Sequence, residues 1–250
     1  MMVTIGSVPL GPGMPKICVP VVGRTIDAIT AQCRDLVHAA YDIVELRIDF
    51  LAGATTPDVS LAALTAFRRE LPTAPLLFTF RTASEGGEQP ASEEVYFQML
   101  RYAIETDLID AIDVEYFHDQ HEISQIISLS HTHGITVIVS NHDFDKTPPL
   151  EEIVRRLIGM KHLGADAAKL ACMPRSPKDV LTLLSATETV KSQYPHEPLI
   201  TMSMGKLGAV SRISGEVFGS AMTFGSVKES SAPGQIDANT LQKILEIFHC

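Results

Sequence analysis

The 250-residue sequence predicts an α/β fold, a single-domain (β/α)8 barrel. Three observations carry that expectation. Eight short runs rich in Val, Ile and Phe alternate with helical patterns along almost the whole chain, as parallel strands covered on both faces require. Eight βα units at this length suit one closed barrel. The open doubly wound sheet is the competitor, but neither GxGxxG nor GxxxxGK[ST] occurs to support its nucleotide-binding forms.

In chain order, residues 1–15 carry Gly6, Pro9, Gly11, Pro12, Gly13 and Pro15 and read as an appendage capping one end of a barrel domain that spans 1–250. The expected strands are Lys16–Val22, Ile43–Asp49, Leu76–Arg81, Ala111–Tyr116, Thr136–Asp143, Ala167–Met173, Leu199–Met204 and Met222–Val227. Thr25 opens a helix with Ile26, Ile29, Cys33, Leu36, Val37 and Ala40 on one face. Pro148-Pro149 precedes a helix striped by Leu150, Ile153, Val154, Leu157 and Ile158. Ser176-Pro177 reads as an N-cap followed by proline at the first helical position. Asp237 caps a last helix bearing Leu241, Ile244, Leu245 and Phe248.

The composition is 45% hydrophobic, enough for a substantial core. The formal charge of −10 argues against nucleic acid and anionic membranes as partners, though local arginines could still hold a small anion. Cys18, Cys33 and Cys172 read as reduced core residues and Cys250 as a tail thiol. No secretory leader is legible in Met1–Pro15, and no apolar run approaches the roughly 20 residues of a membrane helix. The expectation is a soluble cytoplasmic protein.

Strand side chains alternate between faces. In Ile43–Asp49, Val44, Leu46 and Ile48 share one face, and Glu45, Arg47 and Asp49 the other. A barrel turns the apolar set toward its helices, so the charged set faces the lumen. The same parity pairs Thr79 with Arg81, Asp113 with Glu115, and Ser140 with His142. Lys169 falls on the sixth strand with Ala167 and Ala171 as small neighbours on its face. An ammonium is costly to bury, and desolvation favours the free amine, a nucleophile toward carbonyls. Taken alone, such a lysine is more often an ion-pair partner. His142 on the adjacent strand, roughly 4.8 Å away, reverses that preference. Most of these groups sit toward the strand C-termini, where barrel enzymes carry their sites. Above them lie Thr82–Glu94, with Glu85-Gly86-Gly87, and Ser230–Gln235; the former reads equally as a lid or a plain surface loop.

The segments GMPKICVPVVG, ELRID, LLFTFRTASEGGE, SNHDF, AKLACMP, ITMSMG, SRISGEVFGSAMTFG and SAPGQ together resemble type I 3-dehydroquinate dehydratases, in family order and over nearly the whole chain. The resemblance implies dehydration of 3-dehydroquinate to 3-dehydroshikimate, in the shikimate pathway to chorismate and aromatic amino acids. Lys169 is then the imine-forming lysine, its amine freed by desolvation and nearby arginines. His142 is the general acid/base, and Glu45 orients that histidine and touches substrate. Arg47 and Arg81 bind substrate oxygens, and Arg212 anchors the substrate carboxylate. Ser231 and Gln235 close over the ligand, and Met202 and Met204 line the site. The resemblance implies a homodimer and requires no metal or organic cofactor. Pro20 departs from the pattern, standing where some relatives carry a serine that helps bind substrate.

Two rival readings stand beside this one. Another class I Schiff-base aldolase or lyase of the TIM-barrel type would share Lys169 without needing His142. A non-enzymatic small-molecule binding barrel would have no use for a lumen lysine. His131 with His133, and His118 with His121, invite a metal, but no further ligand cluster accompanies them and no metal site is expected.

Overall fold

The computed structural model describes residues 2–228 and 231–249; Ser230 and Cys250 lie outside the described residues. A short antiparallel hairpin opens the chain, β1 (Val3–Ile5) and β2 (Val8–Leu10). The barrel strands follow as β3 (Lys16–Val21), β4 (Ile43–Arg47), β5 (Leu76–Thr79), β6 (Ala111–Glu115), β7 (Thr136–Asp143), β8 (Ala167–Cys172), β9 (Leu199–Ser203) and β10 (Met222–Ser226). They curl in the order β10-β3-β4-β5-β6-β7-β8-β9, all parallel, with β11 (Ile236–Asp237) added beside β10. The ring closes between β9 and β10 by a short bridge: Ala221 N donates to Leu199 O at 2.7 Å and Thr201 N to Ser220 Oγ at 3.0 Å.

The helices are α1 (Ile26–Asp35), α2 (Pro57–Glu70), α3 (Glu93–Glu105), α4 (Gln120–Thr132), α5 (Leu150–His162), α6 (Pro177–Gln193), α7 (Ala209–Ile213), α8 (Gly215–Phe218) and α9 (Ala238–Phe248). Side chains at the expected starts satisfy the free N–H groups of the first turn. Thr25 Oγ1 accepts from Ala28 N at 3.2 Å, and Asp237 Oδ1 from Thr240 N at 2.9 Å. Asp179, three residues into α6, accepts from Ser176 N at 2.9 Å. Three expectations are corrected. Helix α1 stops at Asp35; a tighter 3-10 turn, Leu36–His38, shifts the phase and exposes Val37. Phe248 ends α9 half exposed, past the sheet that covers Leu241 and Leu245. The β9–β10 connection holds only α7 and α8, with Gly219 at φ +98 ending the latter.

Two buried apolar layers result. The larger lies between strands and helices and includes Val19, Val44, Leu46, Phe67, Phe78, Val139 and Leu170. The smaller fills the lower lumen with Cys18, Ile43, Leu77, Ala111, Ile138, Ala167, Ile200 and Met222. Ile5 and Leu10 of the hairpin join this second layer, so the N-terminal segment plugs the barrel floor. Cys18, Cys33 and Cys172 are buried free thiols.

Candidate active site

Above the apolar floor, the lumen-facing positions change character. The register places Ser140 beside Lys169, and His142 beside Ala171, which in turn faces Met202. Glu45, Arg47, Arg81, His142, Lys169, Met202, Met204, Arg212, Ser231 and Gln235 all border one cavity at the strand C-termini.

Lys169 is 3% exposed. Its Nζ donates to Asp113 Oδ2 at 3.0 Å, stands 3.6 Å from Glu45 Oε1, and lies 4.7 Å from the Phe224 ring centre. Its nearest charged neighbours are thus carboxylates, where the resemblance led us to expect arginines. Arg81 reaches the same Asp113 from the other side at 2.7 Å, while its other arm holds Glu115 Oε1 at 2.9 Å and Ser140 Oγ at 3.1 Å. Burial alone would raise the Asp113 carboxyl, but Arg81 and Lys169 outweigh it and hold it well below the usual carboxylate range.

The partner of His142 is Glu85, which corrects the expected role of Glu45. Glu85 Oε2 lies 3.1 Å from His142 Nδ1 and accepts from the His142 backbone N–H at 2.9 Å. Glu45 instead accepts from Thr79 Oγ1 at 3.0 Å and faces Lys169. The reason is position: β4 is three strands from β7, whereas Thr82 leads into a 3-10 turn, Ala83–Glu85, that carries Glu85 over the mouth. Gly86 continues the turn at φ +82, where a β-carbon would collide with the Phe144 ring. The Thr82–Glu94 loop therefore contributes to the site and is more than a surface connection. Burial, then the charges of Arg81 and Lys169, push the His142 imidazole well below its ordinary range. Burial pushes the Glu85 carboxyl up to about 7 despite Arg81 nearby.

The remaining cations differ in availability. Arg47 is held bidentately by Asp49, with both contacts at 2.8 Å. Arg212 is 1% exposed and has no carboxylate within ion-pair distance among the described residues. Its Nη2 donates to Pro233 O at 3.0 Å, and its Nε has no hydrogen-bond partner. Burial lowers this guanidinium to about 10. The segment above is drawn onto both arginines, since Arg47 also reaches Ser231 O at 3.4 Å. Ser231 and Gln235 bond each other, Gln235 Nε2 donating to Ser231 Oγ at 3.1 Å. Pro20 registers beside Glu45 but borders a separate small crevice, with Gln32 and Val227, and not the Lys169 cavity.

A family model for type I 3-dehydroquinase matches residues 17–250. The chain belongs to the type I 3-dehydroquinase family. A 3-dehydroquinate dehydratase of Listeria monocytogenes is 49% identical over 247 residues, covering 99% of this chain and 98% of its own. One from Klebsiella pneumoniae is 49% identical over 246 residues, covering 98% of each. The solved type I 3-dehydroquinate dehydratase of Clostridium difficile, with covalently modified comenic acid, superposes with a TM-score of 0.95 at 42% identity, over 99% of this chain and 98% of that one. Membership in the 3-dehydroquinase family sets the aldolase and binding-module alternatives aside.

Sequence reasoning overlooked Glu85 as the histidine's partner, Asp113 as the lysine's, and the rings of Phe144 and Phe224 in the wall. Parity marked Asp113 as lumen-facing; Glu85 and Phe144 lie beyond their strands, where parity does not reach. The other histidines are engaged elsewhere: His131 lies 3.0 Å from Asp166 and His133 lies 2.8 Å from Asp107. Among the described residues, no group of three or more His, Cys, Asp or Glu is arranged to hold a metal ion.

Proposed function

We propose that this protein removes water from 3-dehydroquinate to give 3-dehydroshikimate through an imine on Lys169. One observation carries the reading: a buried lysine, an imidazole from the adjacent strand and a buried arginine with no carboxylate partner among the described residues border a single cavity.

A proton next to a plain ketone leaves slowly because the resulting carbanion is poorly stabilised; a protonated imine is a far better electron sink. Lys169, once its proton has passed on, attacks the ketone carbon and water leaves. His142 is uncharged at neutral pH and takes the proton from the ring carbon beside the imine. The imidazolium so formed returns that proton to the departing hydroxyl, and water then hydrolyses the product imine. Glu85 accepts from Nδ1–H, which leaves Nε2 as the basic atom. Glu45 and Arg47 offer contacts to substrate oxygens, while Arg81 fixes the carboxylates around Lys169. Arg212 presents its fork to the substrate carboxylate. Ser231 and Gln235 close the cavity above, and Met202 and Met204 form its apolar wall.

By the same resemblance we assign a lyase working as a homodimer in the cytoplasm, in the biosynthetic branch leading to chorismate. Among the described residues, no helix is long and apolar enough to cross a membrane.

The test is turnover of 3-dehydroquinate, followed by ultraviolet absorbance of the enone and by intact mass after borohydride. Wild type turns over and yields an adduct. Lys169→Ala gives neither. His142→Ala still yields the adduct but turns over about 10²–10⁴-fold more slowly. A wild type inactive toward 3-dehydroquinate defeats the assignment, and an active one without adduct defeats the imine.

A further inference from the structure

We propose that His118 is a positioning residue of the Lys169 site, acting through Glu115 and Arg81. The proposal rests on the reading of Lys169 above. His118 lies just past β6 and outside the Lys169 cavity. Its ring stacks on Tyr96 of α3, with centres 4.4 Å apart, and its Nε2 lies 3.2 Å from Glu115 Oε2. Tyr96 also fixes the backbone of Glu115, whose N–H donates to the Tyr96 hydroxyl at 2.9 Å.

Glu115 passes that constraint inward along two routes. Its Oε1 accepts from Arg81 Nη1 at 2.9 Å, and Arg81 Nη2 holds Asp113, the partner of Lys169. It also accepts from Thr82 N at 2.8 Å and Thr82 Oγ1 at 2.7 Å. Thr82 begins the turn that carries Glu85 to His142. One outer imidazole therefore steadies both the lysine's ion-pair partner and the histidine's carboxylate, each link being 3.2 Å or shorter.

Charge makes the contact more than a prop. Among the described residues, the buried acids Glu45, Asp49, Glu85, Asp113 and Glu115 are linked to three buried cations, Arg47, Arg81 and Lys169. While Lys169 is the free amine that attacks the ketone, its charge is absent and that imbalance deepens. A protonated His118 offsets it from outside. The charged groups facing the ring are Glu115 from β6 and Glu93 from α3 at 3.4 Å, with Arg81 behind Glu115; the adjacent Asp119 turns its carboxylate to the α4 N-terminus. Burial alone would lower this imidazole, but Glu115 and Glu93 raise it above its ordinary value. Its charge thus persists to higher pH than that of a free imidazole and is lost as the pH rises through that raised value, leaving Glu115 to Arg81 and Thr82.

The experiment is kcat and KM against pH for wild type, His118→Ala and His118→Gln, with the His118 ring proton followed by NMR in the wild type. His118→Ala lowers kcat about tenfold with KM changed less than about threefold, the size of a small displacement of catalytic groups. His118→Gln keeps a donor to Glu115 and recovers most of that loss at high pH. It lacks the rise in wild-type kcat that tracks the NMR titration as pH falls. Should His118→Ala fail to fold, the glutamine variant decides alone. Superimposable wild-type and His118→Gln profiles, with kcat within about twofold, overturn the proposal. A wild type that neither turns over nor traps an adduct sinks the Lys169 reading instead, and this proposal with it.

Discussion

The upper and lower halves of the barrel lumen come from the same strands at the same side-chain parity, yet they share almost no chemistry. Ile43 lies below Glu45, Leu77 below Thr79, Ala111 below Asp113, Ile138 below Ser140, and Ala167 below Lys169. The lower residue of each pair belongs to the buried apolar cluster that includes the hairpin plug, where a polar group would lack a partner. The upper one meets polar side chains of other strands, and Arg81 just past β5, so every ionised side chain of the five upper positions named has an ion pair or hydrogen bond. Parity decides which side chains enter the lumen, and height along the strand decides whether they stabilise or react.

The sharpest way to break this division is to cut into the floor. Leu77 is fully buried there, and Leu77→Ala is expected to cost about 2–5 kcal/mol through lost transfer energy and a residual cavity. For a chain of this size that is a drop in Tm of roughly 4–20 °C. Turnover per folded molecule should stay at the wild-type level, measured below the new transition. Loss of turnover at unchanged Tm would mean that the floor takes part in the chemistry.

The same division separates the features that are legible in the sequence from those that are not. All eight barrel strands are legible, because each is a short, largely apolar run set between helical patterns. Lys169, His142 and the polar lumen positions follow from side-chain parity. Glu85 does not follow: its place is set by a 3-10 turn, by bonds from the His142 backbone and by the Phe144 ring above Gly86, none of which has a sequence period. The resemblance assigns the histidine-orienting role to Glu45, which strand parity puts in the lumen. The exposures of Val37 and Phe248 escape for a related reason, since a change of turn or a helix running past its sheet leaves the apolar spacing intact. Likewise, the proline and glycine of residues 1–15 mark a break in pattern but not the hairpin that plugs the floor.

Arg212 sharpens the comparison from the upper side. A buried cation without a carboxylate partner is a cost to the folded state that a ligand can relieve. Arg212→Ala should therefore leave Tm unchanged or slightly raised, the opposite of Leu77→Ala. It should lower kcat/KM by roughly 10–150-fold, the equivalent of about 1.5–3 kcal/mol for a charge-assisted contact. Steady-state kinetics and a melt on the same sample separate the two signatures. A destabilised variant with unaltered kcat/KM would assign Arg212 to packing.

Glu85 carries the smallest expected effect and the most informative sign. Its carboxyl stands at about 7 in the folded protein against 4.5 for the free group, raised first by burial. Between those values the folded protein keeps a proton that the unfolded chain has released. Stability therefore falls as pH climbs through this window, and the full cost is present above about 7. Glu85→Gln removes the ionisation. The Tm difference, variant minus wild type, should grow by a few degrees from pH 5 to pH 8, at roughly 2–4 °C per kcal/mol for a domain of this length. Turnover should fall over the same range, because an amide cannot hold the His142 imidazolium as a carboxylate does. Parallel pH–Tm curves for the two proteins would show that the carboxylate is as well solvated in the fold as outside it, and would remove the upper lumen's claim to store strain for chemistry.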